Sequence, residues 1–182
     1  LLKASKDLLE ISKLYNLNFN DLNKKIFKTE SSLLKMYNKK KNIFYSYDLK
    51  NKFFINIPSI SNYFILFADL NDEKVNKRII ESLKGYNQKE KYIFSSIKPD
   101  HKSFDEKRYW RGPVWINTNW IIYQSLKNKD KVYAKKIKDK TIKLIEEKNF
   151  FEYYSCKNAE TLGANNFSWS SALYLDLIYE SN

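Results

Sequence analysis

The chain has 182 residues, 43% of them apolar, enough for one ordinary domain with its own core. Its net charge of +12 comes from 33 basic and 21 acidic residues, yet all but three of the basic residues are lysines scattered over nearly every segment. Such a distribution reads as solvated helix faces, since phosphate-gripping surfaces cluster arginine, and the single Cys156 excludes an internal disulfide and a cysteine-built zinc cage. No apolar run reaches the eighteen or more residues of a membrane-spanning helix, and no signal peptide is visible. Neither nucleic acid nor membrane is expected as a partner, no metal or cofactor is expected, and the compartment stays open with a lean to the cytoplasm.

In chain order, Leu1, Ala4, Leu8, Ile11 and Tyr15 already recur at helical spacing, so the sequence reads as starting inside a helix, as a piece of a longer protein. Asn20 or Asp21 caps a second helix with Leu22, Ile26, Leu33 and Tyr37 on one stripe, pairing with the first. The lysine run 39–41 is expected at a helix end, opposing its negative dipole. Between 43 and 57 the apolar period shortens around the turn residues 48–51, predicting a short β-hairpin. Ser59 or Ser61 caps a helix with Tyr63, Phe64, Phe67 and Leu70, and Asn71 or Asp72 starts another with Val75, Ile79, Ile80 and Leu83 that Gly85 stops. No period holds over 86–107, and so long a loop is expected to line or cover a site. Its His101, the only histidine, has no catalytic partner in the sequence and reads as a surface residue.

Residues 109–120, YWRGPVWINTNW, hold three of the four tryptophans, one of three arginines, one of three glycines and one of three prolines. Pro113 suits a first helical turn, predicting a helix from Pro113 to about Lys127 with Trp115, Asn119 and Tyr123 on one stripe. Aromatic faces beside an arginine and two asparagines suit a sugar, whose rings stack on indoles and whose hydroxyls need polar partners; composition alone favours a plain core helix. Asp130 caps the next helix, to about Lys148, which runs into NFFEYYS at 149–155. There Glu152 lies among Phe150, Phe151, Tyr153 and Tyr154, where an ionised carboxylate is costly unless hydrogen-bonded and becomes a base able to activate water. The plainer alternative is a surface glutamate at a helix exit. GANNFSWS at 163–170 leads into a last helix, the seventh.

YWRGPVW-x-N-x-NW, then about thirty residues on F-x-E-Y-Y, then G-A-x-x-F-S-W-S-x-A, resemble the C-terminal half of glycoside hydrolase family 63, including the bacterial mannosylglycerate and glucosylglycerate hydrolases, and more distantly the trehalases. The resemblance implies an all-α fold, part of an (α/α)6 toroid, with residues 1–182 as the C-terminal portion of a single catalytic domain. It implies an inverting hydrolase of an α-glucoside or α-mannoside, of oligosaccharide or glycosylglycerate type. By position, Glu152 becomes the general base, Tyr109, Trp110 and Trp115 line the sugar subsite, and Arg111 and Trp169 fall on further substrate positions.

Two departures qualify it. The Pro-x-Thr-Gly turn that commonly follows E-Y-Y is replaced by Ser155-Cys156-Lys157-Asn158-Ala159-Glu160. The family's general acid, an aspartate required for inversion, lies N-terminal of the stretch matching residues 1–15, and Asp48, Asp100 and Asp105 do not stand in its context. The chain is thus expected to carry the base without the acid, to be inactive alone, and to have the carbohydrate and the missing N-terminal half of the same domain as partners. Competing readings are a non-catalytic sugar-binding or packing remnant of the toroid and a basic nucleic-acid-binding module.

Overall fold

A computed structural model describes residues 1–86 and 92–180, so residues 87–91 of the long loop lie outside the described part. Helices α1 (Leu2–Leu14) and α2 (Leu22–Leu34) pack together, and two small hairpins follow, β1 (Tyr37–Asn38) with β2 (Ile43–Phe44) and β3 (Ser46–Asp48) with β4 (Phe53–Ile55). A 3-10 helix (Ile60–Ala68), α3 (Glu73–Tyr86), α4 (Ile116–Leu126) and α5 (Lys131–Lys148) come next, then a hairpin of β5 (Phe151–Tyr154) and β6 (Thr161–Asn165), and finally α6 (Ser168–Tyr179). Six α-helices and the long 3-10 helix make the seven expected, among the described residues.

The core forms around α4, which packs against the 3-10 helix, α5 and α6; Leu66, Ile122, Leu126 and Leu177 are buried between them. Polar side chains join the elements. Ser59 Oγ accepts the Ser61 N–H at 3.1 Å while Asn62 Oδ1 accepts the Ser59 N–H at 2.7 Å, a reciprocal cap, and Asn62 Nδ2 donates to the Phe44 carbonyl of β2 at 2.6 Å. Glu30, buried on α2, accepts from the backbone and the amide of Asn71, anchoring the turn before α3.

Several local expectations are corrected. Tyr37 does not extend α2 but pairs with Phe44 across β1–β2. The lysine run 39–41 therefore turns a hairpin and caps no helix; Asn38 Oδ1 accepts the Lys40 and Lys41 N–H groups at 3.1 and 3.0 Å. The hairpin expected over 43–57 is β3–β4, with Asp48 accepting the Asn51 N–H at 2.8 Å in its turn. Leu70 lies beyond the 3-10 helix, and Gly85 lies inside α3, one residue before its end.

Candidate functional site

Val114 is the pivot of the site. Its N–H donates to the Tyr154 carbonyl at 2.7 Å and its carbonyl accepts the Tyr154 N–H at 3.0 Å, while its other edge bridges Ser95. Ser59–Ile97, Ser95–Val114, Val114–Tyr154 and Tyr154–Thr161 pairings thus run as one ribbon from the cap of the 3-10 helix to β6. Beneath it Val114, Ile116, Leu144, Ile145 and Tyr154 form a second, smaller core. Because Val114 is extended and laddered on both edges, α4 begins at Ile116 and not at Pro113, with Trp115 as its extended N-cap. For the same reason Glu152 lies on a strand, not at a helix exit.

The aromatic residues converge. Trp110 stacks on Trp115 with centroids 3.9 Å apart and planes 9° apart, and Trp115 stacks on Tyr153 at 4.7 Å and 25°. Tyr109 meets Trp115 and Tyr153 edge-on at 4.9 and 5.6 Å. Tyr109 and Trp110 are 49% and 42% exposed, but Trp115 is 2% exposed and supports the outer rings, offering no face of its own to a ligand. The indole N–H of Trp115 donates to the Tyr109 carbonyl at 3.1 Å, fixing a residue whose φ is +38°.

Glu152 adjoins this stack. Between the pairs Phe151–Asn165 and Tyr153–Leu162, the single Glu152 faces two residues of β6, Gly163 and Ala164, which is a bulge that re-aims the side chain. The carboxylate accepts the Ala164 N–H at 3.2 Å. A Cβ on Gly163 would lie 2.6 Å from Glu152 Oε2 and 2.7 Å from Tyr153 Cε1, so the carboxylate and the Tyr153 ring flank one point. Burial, followed by the nearby charge of Glu152 and by Tyr109, raises the Tyr153 hydroxyl above the ordinary phenol range, keeping it a donor at neutral pH.

The other predicted residues stand apart from the stack. Arg111 Nε donates to the Ser103 carbonyl at 3.0 Å, turning the guanidinium onto the preceding loop. Trp169, 48% exposed at the start of α6, has Phe167 as its ring neighbour at 6.4 Å. Trp120 donates to Asp176 on α6, and Asn119 is fully buried. The loop before the platform does brace the site: the Asp105 N–H donates to the Arg111 carbonyl at 2.8 Å, and His101 Nδ1 accepts the Ser103 N–H at 3.1 Å. Sequence reasoning does not single out Tyr153 as a platform ring or Gly163 as the bulge. The signal available is a strand-like FEYY followed eleven residues after Glu152 by one of only three glycines. Among the described residues no cluster of three or more His, Cys, Asp or Glu side chains is arranged to hold a metal, and no helix is long and apolar enough to cross a membrane.

The family model of the mannosylglycerate hydrolase MGH1-like glycoside hydrolase domain matches residues 1–170. The chain is 27% identical over 176 residues to a mannosylglycerate hydrolase of Thermus thermophilus, covering 96% of this chain and 42% of that protein. It is 24% identical over 188 residues to the mannosylglycerate hydrolase of Rubrobacter radiotolerans, covering 99% and 42%. The crystal structure of a GH63 mannosylglycerate hydrolase from Thermus thermophilus in complex with glucose superposes with a TM-score of 0.89 at 25% identity, over 99% of this chain and 43% of that one. Neutral trehalase Nth1 from Saccharomyces cerevisiae shares the fold, with a TM-score of 0.76 at 16% identity over 100% of this chain and 36% of that one. The mostly helical chain thus has the fold of part of the GH63 toroid and spans less than half the length of these relatives.

Proposed function

We propose that this chain, which belongs to the mannosylglycerate hydrolase MGH1-like glycoside hydrolase family, is the base-bearing portion of an inverting hydrolase of an α-linked glucoside or mannoside. The observation that carries the reading is the Glu152 carboxylate flanking Gly163 beside Tyr153, whose ring continues the Trp110–Trp115 stack. A pyranose lies against the exposed faces of Tyr109 and Trp110, whose rings match its C–H faces. Glu152 takes a proton from a water held between carboxylate and sugar as that water attacks the anomeric carbon from the side opposite the leaving oxygen. A carboxylic acid supplied from outside these 182 residues protonates the leaving oxygen as its bond to the anomeric carbon breaks. The Ala164 N–H, bonded to Glu152 Oε2, leaves the other carboxylate oxygen for the water. A glycosylglycerate is the substrate class suggested by the relatives' names.

The test is Glu152→Gln in the complete enzyme, which keeps the shape and loses the proton acceptor. Removing a general base costs about 10²–10⁴ in kcat, with a much smaller change in KM. NMR of the first product formed by the unaltered enzyme is expected to show inverted anomeric configuration, and azide is expected to restore turnover of the variant as an inverted glycosyl azide. Near-normal turnover of Glu152→Gln, or retained configuration, overturns the assignment.

A further inference from the structure

The loop that leads into the aromatic platform and the turn that follows Glu152 are tied by crossed charges. Glu106 accepts the Ser155 hydroxyl on one carboxylate oxygen, and its other oxygen lies 3.0 Å from Lys157 Nζ. The next residue, Lys107, reaches Glu160, its Nζ lying 2.9 and 2.8 Å from the two carboxylate oxygens. Ser155 is fully buried, and its Oγ also accepts the Lys157 and Asn158 N–H groups at 3.2 and 3.4 Å. Asn158 Oδ1 accepts the Glu160 N–H at 2.8 Å, and Ala159 between them has φ +58°. The turn is therefore braced by its own side chains, in the same stretch where Ser155-Cys156-Lys157-Asn158-Ala159-Glu160 departs from the family's usual sequence.

At its other end the loop is fixed to the platform. The Asp105 carbonyl comes so close to Gly112 that a Cβ there would lie 2.2 Å from its oxygen, and the Asp105 N–H donates to the Arg111 carbonyl. Glu152 stands three residues before Ser155, and Tyr109 two residues after Lys107. The Val114–Tyr154 backbone pair and the contacts of the Tyr153 ring with Tyr109 and Trp115 join the two segments along β5. The crossed charges tie them again at the turn that follows.

We infer that Glu106 and Lys107 are positioning residues for the reaction proposed above, clamping the Glu152 hairpin in register with the Tyr109–Trp110 platform through Ser155, Lys157 and Glu160. The inference rests on Glu152 being the base. The Ser155 hydroxyl first, and Lys157 second, hold the Glu106 carboxyl below the ordinary carboxylate range, so the clamp is charged at neutral pH. The Lys107–Glu160 pair is exposed, and exposed pairs contribute little to stability. Its loss is therefore expected in geometry before melting temperature.

The experiment uses the complete enzyme with Glu106→Ala, Lys107→Glu, Glu160→Lys, the double exchange of Lys107→Glu with Glu160→Lys, and Glu152→Gln in parallel. A displacement near 1 Å at a reacting group can cost about a hundredfold. Glu106→Ala and each single charge reversal are expected to lower kcat roughly ten- to hundredfold, with KM within about twofold. The charge reversals are expected to leave melting temperature nearly unchanged, whereas Glu106→Ala lowers it by leaving the buried Ser155 hydroxyl without its acceptor. The double exchange is expected to bring kcat back to within about threefold of the starting enzyme, a rescue that bulk stability does not produce. Unchanged kcat in the single variants, or losses that track melting temperature and are not rescued, overturn the clamp. If Glu152→Gln alone abolishes turnover while the clamp variants keep it, the clamp falls and the base stands; if Glu152→Gln keeps turnover, both fall.

Discussion

Gly163 and Gly85 carry the same absent side chain to opposite ends. Gly163 has φ +75° and faces Glu152 Oε2 and the Tyr153 ring across the bulge, so an added methyl meets both a strained backbone and two occupied positions. Gly163→Ala is expected to cost about 1–3 kcal/mol of stability and to displace the carboxylate, lowering kcat more than KM. Gly85 sits in α3 with nothing within 4 Å of a built Cβ, so Gly85→Ala is expected to raise stability by about 0.5–1 kcal/mol and leave turnover alone. Thermal melts and steady-state kinetics of the two variants in the complete enzyme check the contrast; equal behaviour would remove Gly163 from the site. Scarcity in the sequence points to Tyr109, Trp110, Trp115 and Glu152, since one short string holds three of four tryptophans and one carboxylate lies alone among aromatics. It does not show that Trp115 is the buried member of the stack or that Tyr153 extends it, because both follow from the Val114–Tyr154 pairing that sets the 109–115 segment beside β5. The φ of +38° at Tyr109 is held by a contact within the same string, the Trp115 indole donating to its carbonyl.

At the level of elements, three helix caps are legible in the sequence, while pairings with distant residues are not. Ser59, Asp72 and Asp130 cap the helices that follow them, each offering an oxygen to backbone N–H groups a few residues on. Pro113 by itself signals a helix start and so places α4 too early, whereas Val114 is drawn into a ladder with Ser95 and Tyr154, nineteen residues before it and forty after. The hairpin of β5 and β6 is hidden for a different reason: its strands pair with each other within residues 151–165, but the connection 155–160 has neither glycine nor proline to signal a turn, and the bulge opposite Glu152 breaks the alternation. Asp130 permits a quantitative check at this level. It accepts the Tyr133 N–H at 3.1 Å and pairs with Lys84 of α3 at 2.5 Å, so it both caps α5 and ties two helices. Asp130→Ala is expected to cost about 1 kcal/mol at pH 7. Lys84 first, and the Tyr133 N–H after it, hold the folded carboxyl below its unfolded value of 3.8, against the opposing effect of burial. A depressed carboxyl stabilises fully above the unfolded value and loses that contribution as pH falls through the folded one. The difference in melting temperature between the two forms is thus expected to hold from pH 7 down to the 3.8 boundary and to narrow below it; a constant difference at pH 3 would exclude the charged pair as its source.

For the whole molecule, uncovered apolar side chains gather at its first and last helices. At the α1–α2 end Leu14, Tyr15, Leu17, Phe19 and Phe27 are exposed, and at the α6 end Trp169, Leu175, Ile178 and Tyr179 are exposed. These are the first and last helical elements of a chain that spans 42% of the length of a mannosylglycerate hydrolase relative, and under the function proposed above the remainder of the domain is expected to cover them. A soluble monomer seldom leaves such faces open, and the 182 residues expressed alone are expected to self-associate and to show no glycosidase turnover. The charge of +12 opposes that association by mutual repulsion. Repulsion of this kind reaches about 30 Å at 0.01 M salt and only about 3 Å at 1 M, while apolar attraction does not weaken with salt in the same way. Sedimentation velocity of the isolated chain is therefore expected to show mostly dispersed species at low ionic strength and large oligomers at high ionic strength. Adding the separately produced remainder of the enzyme is expected to convert the oligomers to one discrete complex and to bring turnover with it. A monomer at both salt concentrations that melts cooperatively would show that the exposed faces need no cover, and turnover by that monomer would show that the acid lies within these residues.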